Sequence, residues 1–231
     1  MQFMHIGVIM DGNRRWARSR GLLASDGHKT GVKALRCLVQ ASIARSIDYV
    51  TVYAFSSENW KRSKTELDFL FTLLTESAIK ELDSLKEEGV KVCFIGDLSV
   101  FEDTKLERAI KKLEDETKSN TKLVLNIALN YGSASELKQA ANTILNEVNL
   151  DEIINIDEQE FSKYLMTSSY PDIDLVIRTG GKQRLSNFLL WQSASAKLFF
   201  TDTYWPDFDE SLLDSALQLL GLNSREAVNF A

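Results

Sequence analysis

The sequence predicts an α/β protein with one domain spanning residues 1–231. Its core is a mostly parallel six-stranded sheet flanked by helices, with a hydrophobic crevice between sheet and helices. Three observations carry that expectation. Strand-type and helix-type segments alternate from end to end, the order that a parallel sheet with crossover helices requires. No repeat, low-complexity tract or linker interrupts the alternation, and the two prolines, Pro171 and Pro206, mark no break in composition. The hydrophobic fraction of 44% in 231 residues is enough to fill one full core.

Taken in order, Ile6 to Met10 reads as a short buried strand that stops at Asp11-Gly12. Asn13 to Arg20 can form a short basic helix closed by Gly21. Ser25-Asp26-Gly27-His28 reads as a turn or helix cap, after which Val32, Leu35, Val39 and Ile43 recur at helical spacing. Tyr49 to Phe55 is β-branched and aromatic, hence a strand, and a polar link from Ser56 to Ser63 follows. A long helix runs from Lys64 to Glu88, with Leu67, Leu70, Phe71, Leu74, Ala78, Leu82 and Leu85 on one stripe and Leu73 and Ile79 off it. Strands are expected at Val90–Ile95, Leu123–Leu129, Ile173–Ile177 and Leu198–Phe200. Helices are expected at Asp103–Lys118, from Ser133 to Val148, and at Asp209–Leu220.

Composition excludes several classes. A net charge of −6 opposes non-specific nucleic-acid binding, so basic residues must act locally. Cys37 and Cys93 are far apart in apolar periodic segments and read as reduced core residues. No stretch nears the roughly 18 apolar residues that span a bilayer, and the first ten residues lack the basic start of a secretory signal. A cytoplasmic protein is therefore expected. Two histidines, His5 and His28, are too few for a zinc site, and His5 beside the first strand reads as structural. The phosphate loops G-x-x-x-x-G-K-[ST] and G-x-G-x-x-G are absent, as is a G-x-S-x-G context for Ser193 or Ser195.

In a parallel sheet, ligands sit beyond the C-terminal ends of the strands. The unusual residues of this chain fall there. The first strand ends in Asp11-Gly12-Asn13-Arg14-Arg15, the second in Ser56-Ser57-Glu58-Asn59-Trp60-Lys61-Arg62, and the fifth in Arg178 to Asn187. Arginines fork onto phosphate and an aspartate holds a hard cation, so this rim suits an anionic ligand held with a metal. The plainer alternatives are an Asp-Gly turn with solvated arginines, a His28 that only caps a helix, and a long helix buried in the core. Beside a phosphate rim, an apolar crevice along that helix would suit a lipid tail.

His5 to Trp16, Gly27-His28-Lys29, Tyr53 to Trp60, Asn126 to Gly132, Arg178 to Gln192 and Trp205-Pro206-Asp207-Phe208 together resemble the cis-prenyltransferase family, in its bacterial undecaprenyl diphosphate synthase type. The likeness spans nearly the whole chain in order. It implies a Mg²⁺-dependent homodimer that extends farnesyl diphosphate with isopentenyl diphosphate units, and a protein peripheral to the inner membrane face through transient contact by its product. On this resemblance Asp11 is a magnesium ligand that helps the allylic diphosphate leave. Gly12, Asn13, Arg14, Arg15 and Trp16 cradle that diphosphate, with His28 as a further contact. Ser56, Ser57 and Glu58 line the site, Asn59 is the proton acceptor, and Trp60 and Arg62 belong to a mobile loop. Arg178, Arg184, Leu185 and Ser186 belong to the isopentenyl diphosphate clamp.

The chain also departs from that family. Lys197 stands where a glutamate is the usual second metal ligand, Lys182 and Ala24 replace a glutamate and an arginine, and Arg225 to Ala231 does not match the basic tail. Lys197 would repel a metal or neutralise a diphosphate oxygen. These changes raise a second possibility, a non-catalytic homologue serving as a partner subunit or lipid-binding protein. Asp11, Arg178 and Arg184 argue for the enzyme.

Overall fold

The computed structural model describes residues 3–147 and 156–221. Six strands form one sheet: β1 (His5–Ile9), β2 (Tyr49–Ser56), β3 (Val90–Ile95), β4 (Leu123–Tyr131), β5 (Leu175–Arg178) and β6 (Lys197–Phe200). Their spatial order is β3-β4-β2-β1-β5-β6, and every pairing is parallel. The helices are α1 (Asn13–Ser19), α2 (Ala24–Ala44), α3 (Lys64–Glu87), α4 (Lys105–Thr117), α5 (Ser133–Glu147), α6 (Glu158–Ser162) and α7 (Glu210–Leu217). β1 is buried at all five positions because it lies between β2 and β5 with both faces covered, which is why it reads as an unbroken apolar run. The strand order reverses direction beside β1, the place where open parallel sheets form a ligand crevice.

The six expected strands are all present, β3 with the expected bounds and the other five at shifted ends. Of the two readings of Ser25–His28, a turn or a helix cap, the structure takes the second: the segment forms the first turns of α2. Leu23 precedes that helix, and the Asp26 carboxylate accepts the Leu23 N–H at 3.1 Å, so the acidic residue closes the helix from within. His28 projects from the second turn of α2. The expected end of α5 at Val148 and the tail from Arg225 to Ala231 lie outside the described residues. Short 3-10 turns at Ser57–Lys61, Ser99–Phe101, Trp205–Asp207 and Gln218–Leu220, and the helix α6, carry too little periodicity to be read from the chain.

His5 is structural: its Nδ1–H donates to the Pro171 carbonyl at 2.7 Å, and Nε2 accepts from the Thr51 hydroxyl at 2.8 Å. The stripe on α3 is only partly the core seam its spacing suggests. Leu82 and Leu85 are buried, whereas Leu67, Leu70, Phe71 and Leu74 are half-buried against Phe55, Phe101, Leu106, Ile110 and Leu129. Off that stripe, Ile79 faces outward and is 62% exposed. No helix among the described residues is long and apolar enough to cross a membrane.

Helix α1 is held against α2 by the absence of side chains. A Cβ on Gly27 would stand 2.1 Å from the Asn13 carbonyl oxygen, and one on Gly31 would stand 2.3 Å from Asn13 Oδ1. The Trp205 indole N–H donates to the Gly31 carbonyl at 2.9 Å and locks the C-terminal segment to the same spot. Gly27→Ala should therefore push α1 away, lowering the urea unfolding free energy by about 1–3 kcal/mol. Unchanged stability would show that the helices can separate freely.

Candidate functional site

Asp11 lies two residues past the end of β1, and its N–H returns to the Ile9 carbonyl at 2.9 Å, which ends the strand. Gly12 has φ 117°, and a Cβ there would lie 2.8 Å from the Tyr204 ring, so only glycine lets the chain turn into α1 at this point. The Asp11 carboxylate is gripped from two sides. Arg15 Nη2 reaches Oδ1 at 2.9 Å and Arg178 Nη2 reaches Oδ2 at 2.9 Å. Arg15 also donates to the Gly180 carbonyl at 2.6 Å. Arg178, only 4% exposed at the end of β5, donates through Nη1 to the Arg184 carbonyl at 2.5 Å and to Ser186 Oγ at 2.6 Å, and Arg184 Nε donates to the same hydroxyl at 3.1 Å. Arg178 Nε is buried without a partner.

Beside this cluster lies a polar pocket of about 540 Å³ lined by Asp11, Gly12, Asn13, Arg14, Arg15, Arg18, Leu22, Ala24, His28 and Arg62. Arg18 and Leu22 were not legible as site residues. Arg18 lies one helical turn after Arg14, which is the signal that could have found it. Glu66, in the first turn of α3, stands between the cations: 3.2 Å from Arg62, 3.7 Å from Arg14 and 3.9 Å from His28. His28 Nε2 is buried with no hydrogen-bond partner. Burial first, and then the nearby Arg62, push the His28 pKa down to about 4 against the pull of Glu66. Burial likewise lowers the pKa of Arg62, with Glu66 opposing. The pocket thus holds guanidinium groups and a neutral imidazole around Asp11, with Glu66 behind them, an arrangement with an excess of cationic groups that suits a multivalent anion.

Several sequence-level candidates fall outside that pocket. The Trp16 indole turns away and donates to Asp207 at 2.6 Å, with Arg20 stacked 4.5 Å above it, so it braces α1 rather than facing the pocket. Trp60 is anchored as well, donating to Asn130 Oδ1 at 2.8 Å and packing on Phe55, Phe71 and Phe101. Asn59 Oδ1 accepts the Ser56 N–H at 3.1 Å. Ser57 and Glu58 are exposed on the same 3-10 turn. Leu185 packs under the rim among Ile9, Phe188 and Leu189. Lys197 does not share a site with Asp11 within the chain: it opens β6 opposite Leu175 and so stands level with Ile6, whereas Asp11 lies two residues beyond Ile9, which pairs with Arg178 and hence is level with Phe200. Three strand residues separate the two ends, about 10 Å. Lys182 is exposed.

A second cavity, about 230 Å³, runs from the pocket into the space under α2 and α3. Val32, Leu35 and Val39 of α2, Leu70, Leu73, Leu74 and Ala78 of α3, and Phe94, Leu125, Ile127 and Leu129 of the sheet line it. Met10, Asn13, His28 and Arg62 border both spaces, so the charged pocket opens directly onto an apolar one. Among the described residues no group of three His, Cys, Asp or Glu side chains could hold a metal by itself. Asp11 is the pocket's carboxylate. A cation bound here would take one protein carboxylate and depend on ligand oxygens for the rest, the usual manner of Mg²⁺ with phosphates.

The family model described as putative undecaprenyl diphosphate synthase matches residues 9–226. The isoprenyl transferase of Fusobacterium nucleatum is 45% identical over 222 residues, covering 96% of this chain and 93% of that protein. The (2E,6E)-farnesyl-diphosphate-specific ditrans,polycis-undecaprenyl-diphosphate synthase of Yersinia pseudotuberculosis is 41% identical over 223 residues, covering 96% and 88%. The crystal structure of lavandulyl diphosphate synthase from Lavandula x intermedia, in complex with dimethylallyl diphosphate, superposes with a TM-score of 0.87 at 31% identity, covering 97% of this chain and 98% of that one.

The depressed His28 pKa sets a pH dependence. Between about 4 and 6.5 the unfolded chain binds a proton at this ring that the folded chain refuses, so stability falls as the pH drops through that window. Urea unfolding followed from pH 7 to pH 4 should show a smaller loss for His28→Gln than for the natural protein. Parallel curves would mean that the folded ring takes its proton at an ordinary pH.

Proposed function

This chain belongs to the prenyltransferase family described as putative undecaprenyl diphosphate synthase, and on that premise we propose that it condenses isopentenyl diphosphate units onto farnesyl diphosphate. The product is a long-chain polyprenyl diphosphate with Z double bonds, undecaprenyl diphosphate for the cell-envelope lipid carrier. The observation that carries this reading is the junction of the two cavities. An allylic diphosphate is a multivalent anion joined to a hydrocarbon tail, and it needs a cationic pocket opening onto a dry apolar space, with Met10, Asn13, His28 and Arg62 at the border.

In this reading Asn13, Arg14, Arg15 and His28 receive the allylic diphosphate at the mouth, and the tail enters between α2 and α3. Arg178, Arg184 and Ser186 hold the diphosphate of isopentenyl diphosphate. The allylic carbon–oxygen bond breaks with its electron pair leaving on diphosphate, and the isopentenyl double bond attacks the resulting cation. Loss of a proton to an oxygen of the departed diphosphate then regenerates an alkene one unit longer. Guanidinium groups fixed beforehand stabilise the charge that develops on the leaving oxygen, which is where such an enzyme lowers its barrier. Water kept out by the apolar wall protects the cation from hydrolysis. Asn59 orients the Ser56 turn rather than taking the proton, since its Oδ1 already accepts the Ser56 N–H and a neutral amide is a weak base.

Mg²⁺ would be held by Asp11 together with diphosphate oxygens, supplying Lewis-acid neutralisation of the leaving group. Each Asp11 oxygen accepts from one guanidinium and keeps a further lone pair, so the carboxylate can meet the cation without giving up Arg15 or Arg178. Two copies of the chain form the working unit through the edge at β6, where Lys197 and Leu198 are exposed, and the growing tail gives transient contact with the membrane surface. The distance of Lys197 from Asp11 within the chain weakens the case for a non-catalytic homologue.

The test is incorporation of labelled isopentenyl diphosphate onto farnesyl diphosphate, with Mg²⁺ raised from zero. Metal-dependent chain extension is expected, and Asp11→Ala should lower turnover by about 10³-fold in protein that still folds, less stably because buried Arg178 loses its partner. Folded protein that incorporates nothing at any Mg²⁺ level would overturn the reading, and natural turnover by the variant would overturn the role of Asp11.

A further inference from the structure

The loop after β5 is held in a costly shape. Ser186, Asn187 and Leu189 all have positive φ, at 51°, 63° and 45°, a region that side chains other than glycine and asparagine seldom occupy. Something outside the loop must hold it there. Two of its contacts come from the start of α5, on the far side of the site. The Ala134 N–H donates to Asn187 Oδ1 at 2.8 Å and the Ser133 N–H donates to the Asn187 carbonyl at 2.9 Å. The Ser133 hydroxyl in turn accepts the Leu190 N–H at 3.1 Å. The Asn187 side chain thereby caps the first turn of a helix that belongs to another part of the chain. Close approach is built in, because a Cβ on Gly132 would lie 2.8 Å from Asn187 Nδ2 and 2.9 Å from Ser57 Oγ.

The residue before Asn187 is Ser186, whose hydroxyl accepts from both Arg178 and Arg184. We propose that Asn187 is a positioning residue for the second diphosphate subsite: by capping α5 it fixes the left-handed turn that aims Ser186, Arg178 and Arg184 at the diphosphate of isopentenyl diphosphate. The inference rests on the function proposed above. Asn187 touches neither Asp11 nor α1 and acts through Ser186, so its effect is confined to one of the two substrates. Asparagine suits the task twice over, since it tolerates positive φ and offers a short amide oxygen to an unpaired helix N–H.

Three variants separate these contributions, with calorimetric affinities and KM values measured for each substrate. Asn187→Ala loses both the cap and the tolerance for positive φ, Asn187→Gly keeps the backbone freedom but loses the cap, and Asn187→Asp keeps an acceptor oxygen. The alanine and glycine variants should bind isopentenyl diphosphate about five- to tenfold more weakly. All three should bind farnesyl diphosphate as the natural protein does, which also reports that they fold, and the aspartate variant should recover isopentenyl diphosphate binding. Natural affinity in the glycine variant, an equal loss for both substrates, or no recovery with aspartate would overturn the proposal while leaving the function standing. Natural protein that binds neither diphosphate would overturn both.

Discussion

The site depends on one carboxylate held between two arginines. Arg178 is nearly inaccessible at the end of β5, and a buried guanidinium without a partner would carry a large desolvation penalty. Asp11 relieves it from the neighbouring strand end, and Arg15 completes the clamp from α1. The Asp11 backbone extends the same junction, its carbonyl accepting from Thr179 Oγ1 at 2.7 Å and from the Trp205 N–H at 3.1 Å. Strands β1 and β5, helix α1 and the C-terminal segment therefore meet at a single residue. The charges are in place before any ligand arrives, and an anion entering the pocket exchanges partners with them rather than assembling them.

The rim achieves that preorganisation by backbone conformations that most residues avoid. Gly12 and Gly180 let α1 and the β5 loop come within contact of Tyr204, Arg15 and Asp11, where any side chain would collide. Ser186, Asn187 and Leu189 accept positive φ without being glycine. Strained loops of this kind persist where surrounding hydrogen bonds over-determine them, and here the start of α5 supplies the bonds. The charged side chains at the mouth are restrained in the same spirit: Glu66 draws Arg14 and Arg62 toward the first turn of α3 and keeps like charges from splaying apart.

Helix α3 joins the two halves of the ligand space. Its first turn presents Glu66 to the cations, and its apolar residues roof the cavity that leaves the pocket. Only its C-terminal turns, at Leu82 and Leu85, are fully buried. The N-terminal half is half-buried, packing Leu67, Leu70, Phe71 and Leu74 on Phe55, Phe101 and Leu129 beside the cavity.

The sequence by itself determined the layer order, the six strands and the three rim segments, because fully buried parallel strands must be apolar throughout and polar residues at their C-terminal ends have nowhere else to lie. Asp11, Arg15, Arg178, Arg184 and Ser186 were legible for that reason. Other readings depended on distances between segments remote in the chain. Trp16 and Trp60 look like ligand contacts until Asp207 and Asn130 claim their indole N–H groups. Lys197 resembles a member of the metal site until the parallel register places it at the opposite end of the sheet. Arg18 was not legible as a site residue, and Asn187 was legible only as the end of a rim segment, because the helix terminus it meets lies 53 residues away. Hydrophobic pattern is a local property and survives in one dimension; hydrogen-bond partnership across 50 or more residues exists only after the chain has closed on itself, and so the tertiary structure alone decided it.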